Sequence, residues 1–176
     1  MAVAQSIFLI GPMGAGKTTI GRKLAEMRGM EFVDSDHEIE HRTGVDIPYI
    51  FEKEGEAGFR RREKQVIDEL TAQPGIVLAT GGGAILDPNN RQALGARGRV
   101  IYLHASVMQQ LARTQRSDTR PLLSKAPDRG AALQALFEVR DPLYQEIADL
   151  TVLTDHRSAR SVIREIEQFL DRPAGI

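Results

Sequence analysis

The sequence predicts a three-layer α/β domain whose central parallel sheet has about five strands. Short apolar runs alternate with helix-length amphipathic segments along the chain. Because consecutive parallel strands need crossover connections, this alternation favours a parallel sheet that is covered by helices on both faces. The 176 residues fit a single domain, without room for a second independent core.

Five segments are predicted to be strands. Ile7–Ile10, Ile76–Ala79, residues 100–103 and Leu150–Leu153 are apolar runs of strand length, which we expect to be buried on both faces. Glu31–Asp34 is less apolar and is the weakest of the five. The longest predicted loop covers residues 117–129, where prolines and several charges, with Gly130 directly after them, interrupt any periodicity.

Helix starts are predicted by capping residues. Ser35 with Glu38, and Ser106 with Gln109, fit the S-x-x-E/Q capping box, in which the serine accepts a hydrogen bond from the helix backbone. Pro48 suits a first helical turn, because its missing N–H has no partner there.

Helix ends and periodicity complete the pattern. Gly29 is predicted to end the helix that runs from Lys17, since glycine adopts the left-handed conformation of a helix terminus. The last helix has one apolar stripe, formed by Val162, Ile163, Ile166, Phe169 and Leu170.

Composition and charge exclude several classes of protein. The net charge of −1 offers no general attraction to nucleic acid or to anionic membranes. There is no cysteine, so disulfides and thiol chemistry are excluded. No apolar run approaches the length of a membrane span, and the first residues lack the pattern of a signal peptide. We therefore expect a cytoplasmic monomer with small-molecule partners.

A phosphate-binding loop follows the first predicted strand. Residues 11–18, Gly-Pro-Met-Gly-Ala-Gly-Lys-Thr, match G-x-x-x-x-G-K-[ST] between a strand and a helix. Glycines let backbone N–H groups surround phosphate oxygens, Lys17 is placed to bridge the β- and γ-phosphates, and the Thr18 hydroxyl is a ligand for Mg²⁺. The alternative is a glycine-rich turn that binds nothing.

Carboxylates and glycines follow the next two strands of the predicted sheet. Asp34 and Asp36 come after the second strand, and residues 80–83, Thr-Gly-Gly-Gly, follow the third. In open parallel sheets, ligands bind at the carboxyl ends of the strands, which is where these residues lie. The acidic pair also fits a solvated, helix-capping turn, and the glycines also fit a flexible turn.

These segments, together with others, resemble the shikimate kinases. The similarity extends from about Ile7 to Leu153, nearly the whole chain. It implies a nucleoside-monophosphate-kinase-like P-loop fold with a mobile lid at about residues 117–129. Besides the phosphate loop and the acidic pair, the resemblance is carried by Ile47-Pro48-Tyr49-Ile50-Phe51-Glu52-Lys53-Glu54-Gly55-Glu56, by Phe59-Arg60 with Glu63, by Thr80-Gly81-Gly82-Gly83, by Arg120-Pro121-Leu122-Leu123, and by Arg140-Asp141-Pro142-Leu143-Tyr144.

The resemblance implies that the acceptor is shikimate. Arg60 and Arg140 would bind its carboxylate, with Glu63 orienting Arg60, and Asp36 would orient the attacking hydroxyl. Planar guanidinium groups suit a carboxylate, which agrees with this assignment. The implied substrate-binding residues are Asp36, Phe51, Phe59, Arg60, Glu63, Gly82, Gly83 and Arg140.

The resemblance also implies the nucleotide side. Asp34 would reach Mg²⁺ through water, and Arg120 would contact the γ-phosphate from the lid. Arg113 would lie against the adenine. At residues 155–158 the sequence departs from relatives, which often have a proline there that completes the adenine wall. The implied nucleotide-binding residues are Gly14, Ala15, Gly16, Lys17, Thr18, Thr19, Arg113, Arg120 and Arg157.

A rival motif is present in the second predicted helix. His37-Glu38-Ile39-Glu40-His41 satisfies H-E-x-x-H, the pattern of a zinc hydrolase. The extended pattern requires a third histidine where this chain has Ile47, so we interpret these residues as a solvated helix face. Besides the shikimate kinase, the alternatives are a kinase for another polyol acid such as gluconate, a non-catalytic nucleotide-binding module, and this zinc hydrolase.

Overall fold

The central sheet of the protein has five parallel strands. A computed structural model of the chain describes residues 2–114 and 127–173. The strand order is β2-β3-β1-β4-β5, which confirms the predicted parallel sheet. The strands are β1 Ile7–Ile10, β2 Glu31–Asp34, β3 Ile76–Ala79, β4 Arg99–His104 and β5 Leu150–Leu153.

Helices connect the strands and cover both faces of the sheet. In the described residues they are α1 Lys17–Arg28, α2 Ser35–Thr43, α3 Ile47–Thr71, α4 Pro88–Arg97, α5 Val107–Thr114, α6 Arg129–Ile147 and α7 Ala159–Leu170, with a 3₁₀ turn at Ala84–Leu86. None of these helices combines the length and the apolarity that crossing a membrane requires.

Alternation of side chains along the strands divides the core into two layers. In β1, Phe8 and Ile10 pack with residues of α3, α4 and α6, whereas Ile7 and Leu9 pack with residues of α1 and α7. All four side chains are buried. Successive strand residues point to opposite faces, so both faces of the sheet are covered and the fold has three layers.

Several predicted boundaries are confirmed. The Ser106 hydroxyl accepts a hydrogen bond from the backbone N–H of Gln109 (3.2 Å), and Pro48 lies in the first turn of α3. Gly29 ends α1 with a φ of 64°, in the left-handed region. The apolar stripe of α7 faces the core through Val162, Ile163 and Ile166.

Two predictions about local structure are wrong. The cap of α2 is Asp34 rather than Ser35, because the Ser35 hydroxyl accepts a hydrogen bond from the Gly81 N–H (3.1 Å). Strand β5 is not buried on both faces, since it forms one edge of the sheet, and Leu153 is 60% exposed.

The predicted loop and lid at residues 117–129 lie mostly outside the described residues. The described chain stops at residue 114 and resumes at residue 127, and Arg129 already begins α6. Arg120, the predicted γ-phosphate contact, also lies outside the described residues.

Candidate active site

The phosphate loop connects β1 to α1, as predicted. Gly11 has a φ of 147°, and a Cβ atom there would collide with the carbonyl of Leu103 on β4, so only glycine fits. Helix α1 begins after Gly16, and among the described residues no side chain caps its first turn. Its backbone N–H groups are therefore available to an anion at the positive end of the helix dipole.

Lys17 lies at the centre of this loop. Its ammonium group donates to the carbonyl of Gly11 (2.6 Å) and to that of Pro12 (2.9 Å). The loop therefore holds the positive charge next to the N–H groups that open α1. A phosphate that entered the loop would meet both kinds of donor together.

Thr18, at the start of α1, lies next to Asp34, at the end of β2. The Thr18 hydroxyl donates to Asp34 Oδ2 (3.0 Å), while Asp34 Oδ1 accepts the Asp36 N–H (2.9 Å). No cluster of three or more His, Cys, Asp or Glu residues in the described ranges could hold a metal ion. One hydroxyl and one carboxylate fit Mg²⁺, which keeps water and phosphate oxygens in its coordination shell.

A cavity of about 420 Å³ opens beside the phosphate loop. Lys17 and Thr18 line this cavity together with Asp36 and the turn formed by residues 80–82. The acidic and glycine-rich segments that the sequence predicts to be neighbours therefore share one cavity with the phosphate loop.

Gly81 lies between two carboxylates. A Cβ atom at this position would lie only 2.7 Å from Asp36 Oδ1 and 3.1 Å from Glu63 Oε2. The first distance is shorter than real Cβ contacts, so a larger residue at this position would displace the Asp36 carboxylate. The Gly81 N–H donates to Ser35, which ties the glycine turn to the start of α2.

Glu63 is buried and paired with Arg60. It is 1% exposed, and Arg60 Nη1 donates to its Oε1 (2.9 Å), while Oε2 has no hydrogen-bond partner among the described residues. Burial raises the pKa of Glu63 to about 7; the charge of Arg60 opposes this shift, and that of Asp36 adds to it. Glu63 therefore changes charge near neutral pH.

Arg60 comes from the second part of α3. The helix is interrupted at Gly55, whose φ of 72° and ψ of 179° are accessible to glycine alone. The Arg60 guanidinium lies against Gly83, where a Cβ atom would collide with its nitrogens. Glu56 is its second acidic neighbour, at 3.5 Å.

Arg140 approaches the same turn from α6. It is 5% exposed, and its Nε has no hydrogen-bond partner among the described residues. Its Nη1 lies 3.4 Å from the position that a Cβ on Gly82 would occupy. Burial lowers the pKa of Arg140, and the positive charge of Arg60 acts in the same direction. The two arginines thus meet at consecutive glycines, as the resemblance implies.

Two phenylalanines lie beside Arg60. The rings of Phe51 and Phe59 are 5.0 Å apart between centroids, and the Arg60 guanidinium lies 5.2 Å from the Phe59 ring. Phe59 is buried and Phe51 is partly exposed. The pair provides an apolar surface next to the arginines.

A second cavity, of about 280 Å³, also adjoins the phosphate loop. Arg113 and Arg157 line it together with Gly14, Gly16 and Thr19. Arg113 donates to the carbonyl of Gly14 (2.6 Å). The cavity adjoins the loop that would hold the phosphates, which is where the base of a nucleotide would extend.

The residues of the zinc motif have other contacts. Glu38, the general base that this motif would need, pairs with Arg42 (2.9 Å), and Glu40 accepts the Ile47 N–H (3.1 Å). His37 and His41 are exposed on α2. This agrees with the interpretation of a solvated helix face.

Sequence reasoning did not predict that two side chains contact the glycine turn, since it assigned Ser35 to a helix cap and gave Tyr144 no role. Ser35 accepts the Gly81 N–H, and Tyr144 donates to the Gly82 carbonyl. Tyr144 is four residues after Arg140, so both side chains lie on one face of α6. That spacing was the available signal for Tyr144, whereas no local pattern indicates the partner of Ser35.

Comparison with known proteins gives consistent results. The family model described as shikimate kinase matches residues 13–171. A shikimate kinase of Pasteurella multocida is 54% identical over 175 residues, covering 99% of this chain and all of the relative. One from Actinobacillus pleuropneumoniae serotype 5b is 56% identical over 171 residues, covering 97% and 98%.

Solved structures show the same similarity. A shikimate kinase from Acinetobacter baumannii in complex with shikimate has a TM-score of 0.92 and 53% identity, covering 94% of this chain and 92% of that one. A gluconokinase from Sinorhizobium meliloti has a TM-score of 0.61 and 17% identity, covering 97% and 93%, which shows a shared fold alone. The chain belongs to the shikimate kinase family.

Proposed function

We propose that this protein transfers the γ-phosphate of ATP to the 3-hydroxyl of shikimate. One observation carries the proposal: Arg60 and Arg140, about eighty residues apart in sequence, lie against Gly83 and Gly82 at the edge of the sheet next to the phosphate loop. Two guanidinium groups in one place fit a carboxylate, and shikimate carries one carboxylate on a ring of hydroxyls. The similarity to a kinase in complex with shikimate supports this acceptor.

On the nucleotide side, the phosphate loop binds the triphosphate. Lys17 exchanges its bonds to the loop carbonyls for bonds to phosphate oxygens, where its charge stabilises the transferring group. Thr18 and Asp34 are the residues that hold Mg²⁺, which offsets phosphate charge when it is bound. The cavity lined by Arg113 and Arg157 receives the adenine.

On the acceptor side, the protein positions the hydroxyl. The 3-oxygen attacks the γ-phosphorus in line, the bond to the β–γ bridging oxygen breaks, and ADP leaves. Asp36 lines the same cavity as Lys17, where it orients the hydroxyl and accepts its proton. Because the transferred group needs little covalent help from the protein, catalysis consists mainly of positioning and charge stabilisation.

The arginine pair gives the sharpest test. Each of Arg60→Ala and Arg140→Ala removes charge-assisted hydrogen bonds worth about 1.5–3 kcal/mol, so apparent shikimate affinity is expected to fall by about tenfold to somewhat over a hundredfold. ATP affinity is expected to change far less, because the phosphate loop is a separate segment. Lysine at either position is expected to rescue poorly, since a point charge does not reproduce a planar fork.

Arg61 and Arg62 are the matched controls. They follow Arg60 directly on α3 but are exposed, and Arg62 pairs with Glu54 (2.8 Å) away from the glycine turn. Alanine at either position is expected to leave both affinities nearly unchanged. If all four alanine variants behave alike, or if ATP binding suffers most, the arginines do not bind the substrate carboxylate.

A further inference from the structure

Two buried tyrosines stack between β4 and α6. The rings of Tyr102 and Tyr144 are 4.8 Å apart between centroids, and neither residue is more than 1% exposed. Each hydroxyl donates one hydrogen bond: Tyr102 to Asp141 Oδ1 (2.6 Å), and Tyr144 to the backbone carbonyl of Gly82. Only the second bond reaches the glycine turn of the proposed acceptor site.

The side chains of Tyr144 and Arg140 both reach the glycine turn at Gly82. They are one helical turn apart on α6, and Arg140 Nη1 lies 3.4 Å from the position of a Cβ on Gly82. Burial raises the pKa of Tyr144 far above its usual value, although the charge of Arg140 and a hydrogen bond between the two side chains oppose the shift. The hydroxyl therefore stays protonated and remains a donor at any pH at which the enzyme is assayed.

The bond to the Gly82 carbonyl fixes the next peptide group. In a trans peptide, the carbonyl of Gly82 and the N–H of Gly83 point in opposite directions, and the described residues contain no cis peptide bond. Holding the carbonyl towards α6 therefore turns the Gly83 N–H away from α6. None of the hydrogen bonds within the described ranges uses the N–H of Gly82 or of Gly83. Gly82 lines the cavity beside the phosphate loop, and Gly83 follows it as a buried residue.

This peptide also links the two arginines. Gly82 adjoins Arg140 and Gly83 adjoins Arg60, so a rotation of the plane between them changes the surroundings of both guanidinium groups. Glycine resists such rotation less than any other residue. The Ala84 N–H closes the turn by donating to the Gly81 carbonyl (3.1 Å), and the Tyr144 hydroxyl adds a side-chain bond to the peptide inside that turn.

We propose that Tyr144 is a positioning residue whose hydroxyl holds the Gly82–Gly83 peptide so that its N–H meets a ring hydroxyl of the acceptor between Arg60 and Arg140. The inference rests on the proposed function, since it names a further determinant of shikimate recognition. Tyr144 itself does not touch the substrate. It acts through the backbone.

The test compares Tyr144→Phe with Tyr102→Phe in steady-state kinetics. Tyr144→Phe removes the bond to the glycine turn together with the contact to Arg140, and it is expected to raise the KM for shikimate about five- to tenfold, with kcat and the KM for ATP changing less. Tyr102→Phe removes the same group from the stacked partner, while Gln145 still holds Asp141 (2.8 Å). Its kinetic constants are expected to stay within about twofold of the wild type, although both variants lose some stability.

Two further variants separate positioning from packing, and they decide the question if Tyr144→Phe is too unstable to purify. Tyr144→4-aminophenylalanine keeps a donor at the same position, and its KM for shikimate is expected to stay near the wild-type value. Tyr144→4-methylphenylalanine fills the same space without a donor, and its KM is expected to rise as for phenylalanine.

The outcomes distinguish the two proposals. An unchanged KM for shikimate in the variants without a donor, or an equal rise in Tyr102→Phe, overturns the inference alone. A folded wild-type protein that does not phosphorylate shikimate overturns the proposed function, and this inference with it.

Discussion

Glu63→Gln is expected to make the protein more stable at neutral and alkaline pH and less able to bind shikimate. Glutamine has nearly the same size, and its carbonyl oxygen still accepts the bond from Arg60 that Glu63 Oε1 accepts now (2.9 Å). The change removes only the ability of this buried side chain to ionise. The pH-dependent difference in stability between this variant and the wild type therefore measures the free-energy cost of ionising the buried Glu63 side chain.

The size of the expected stability difference follows from the raised pKa of Glu63. The pKa of Glu63 is raised from 4.5 to about 7 by burial, against the opposing charge of Arg60. The folded state therefore binds the proton more tightly than the unfolded state, and stability falls as pH rises from the unfolded towards the folded pKa. A difference of about 2.5 units corresponds to roughly 3 kcal/mol, of which most is lost between about pH 5 and about pH 8.

Denaturant unfolding at 25 °C measures this cost. The free energy of unfolding of Glu63→Gln minus that of the wild type is expected to increase by about 2 to 3 kcal/mol from about pH 5 to about pH 8. Taking this difference cancels the titration of groups that both proteins share. At about pH 8, where Glu63 is mainly ionised, the same variant is expected to raise the KM for shikimate several-fold, because Arg60 exchanges a charged acceptor for a neutral one that binds about 1 kcal/mol more weakly.

Glu56→Gln is the control for the same guanidinium. Glu56 faces Arg60 at 3.5 Å, but its side chain is 46% exposed. Its substitution is expected to change stability by less than about 1 kcal/mol throughout the same pH range. A stability difference for Glu63→Gln that does not vary with pH, or that varies as it does for Glu56→Gln, would refute the assignment of a raised pKa to Glu63.

Two other variants test the phosphate loop and the rejected metal site. Lys17→Ala is expected to remain folded, as circular dichroism can check, and to lower turnover by on the order of a hundredfold, since a charge is lost where negative charge accumulates; near-normal turnover would remove the phosphate-loop assignment. The double change His37→Ala and His41→Ala is expected to leave turnover nearly unchanged, with activity dependent on Mg²⁺ and resistant to a zinc-selective chelator. Stoichiometric zinc in the purified protein, together with lost activity in this variant, would restore the zinc hydrolase.

Much of the fold could be predicted because its signals are local. Each buried strand is an apolar run bounded by polar or glycine residues, and β4, Arg99–His104, is only one residue longer at each end than predicted. The burial of β5 could not be predicted in the same way. An edge strand differs from a central one in its neighbours, and hydrophobicity along four residues does not record how many neighbours a strand has.

The candidate site could likewise be predicted only in part from the sequence. The resemblance to shikimate kinases implied that Asp36, Arg60 and Arg140 share one site, and each of them lies next to the glycine turn. The contacts of Ser35 and Tyr144 join residues 46 and 62 positions apart in the chain. Such bonds depend on how helices and turns pack, so a serine next to two aspartates looked like a helix cap instead.

Shikimate phosphorylation itself is tested most directly by ADP release with several acceptors in parallel. The purified protein is supplied with ATP and Mg²⁺, and ADP is measured with shikimate, gluconate and nucleoside monophosphates as separate acceptors. The account predicts rapid ADP release with shikimate alone, together with a product whose phosphorus resonance couples to the proton on carbon 3. Equal or faster release with gluconate or a nucleoside monophosphate, or a phosphate on another carbon of shikimate, would contradict it.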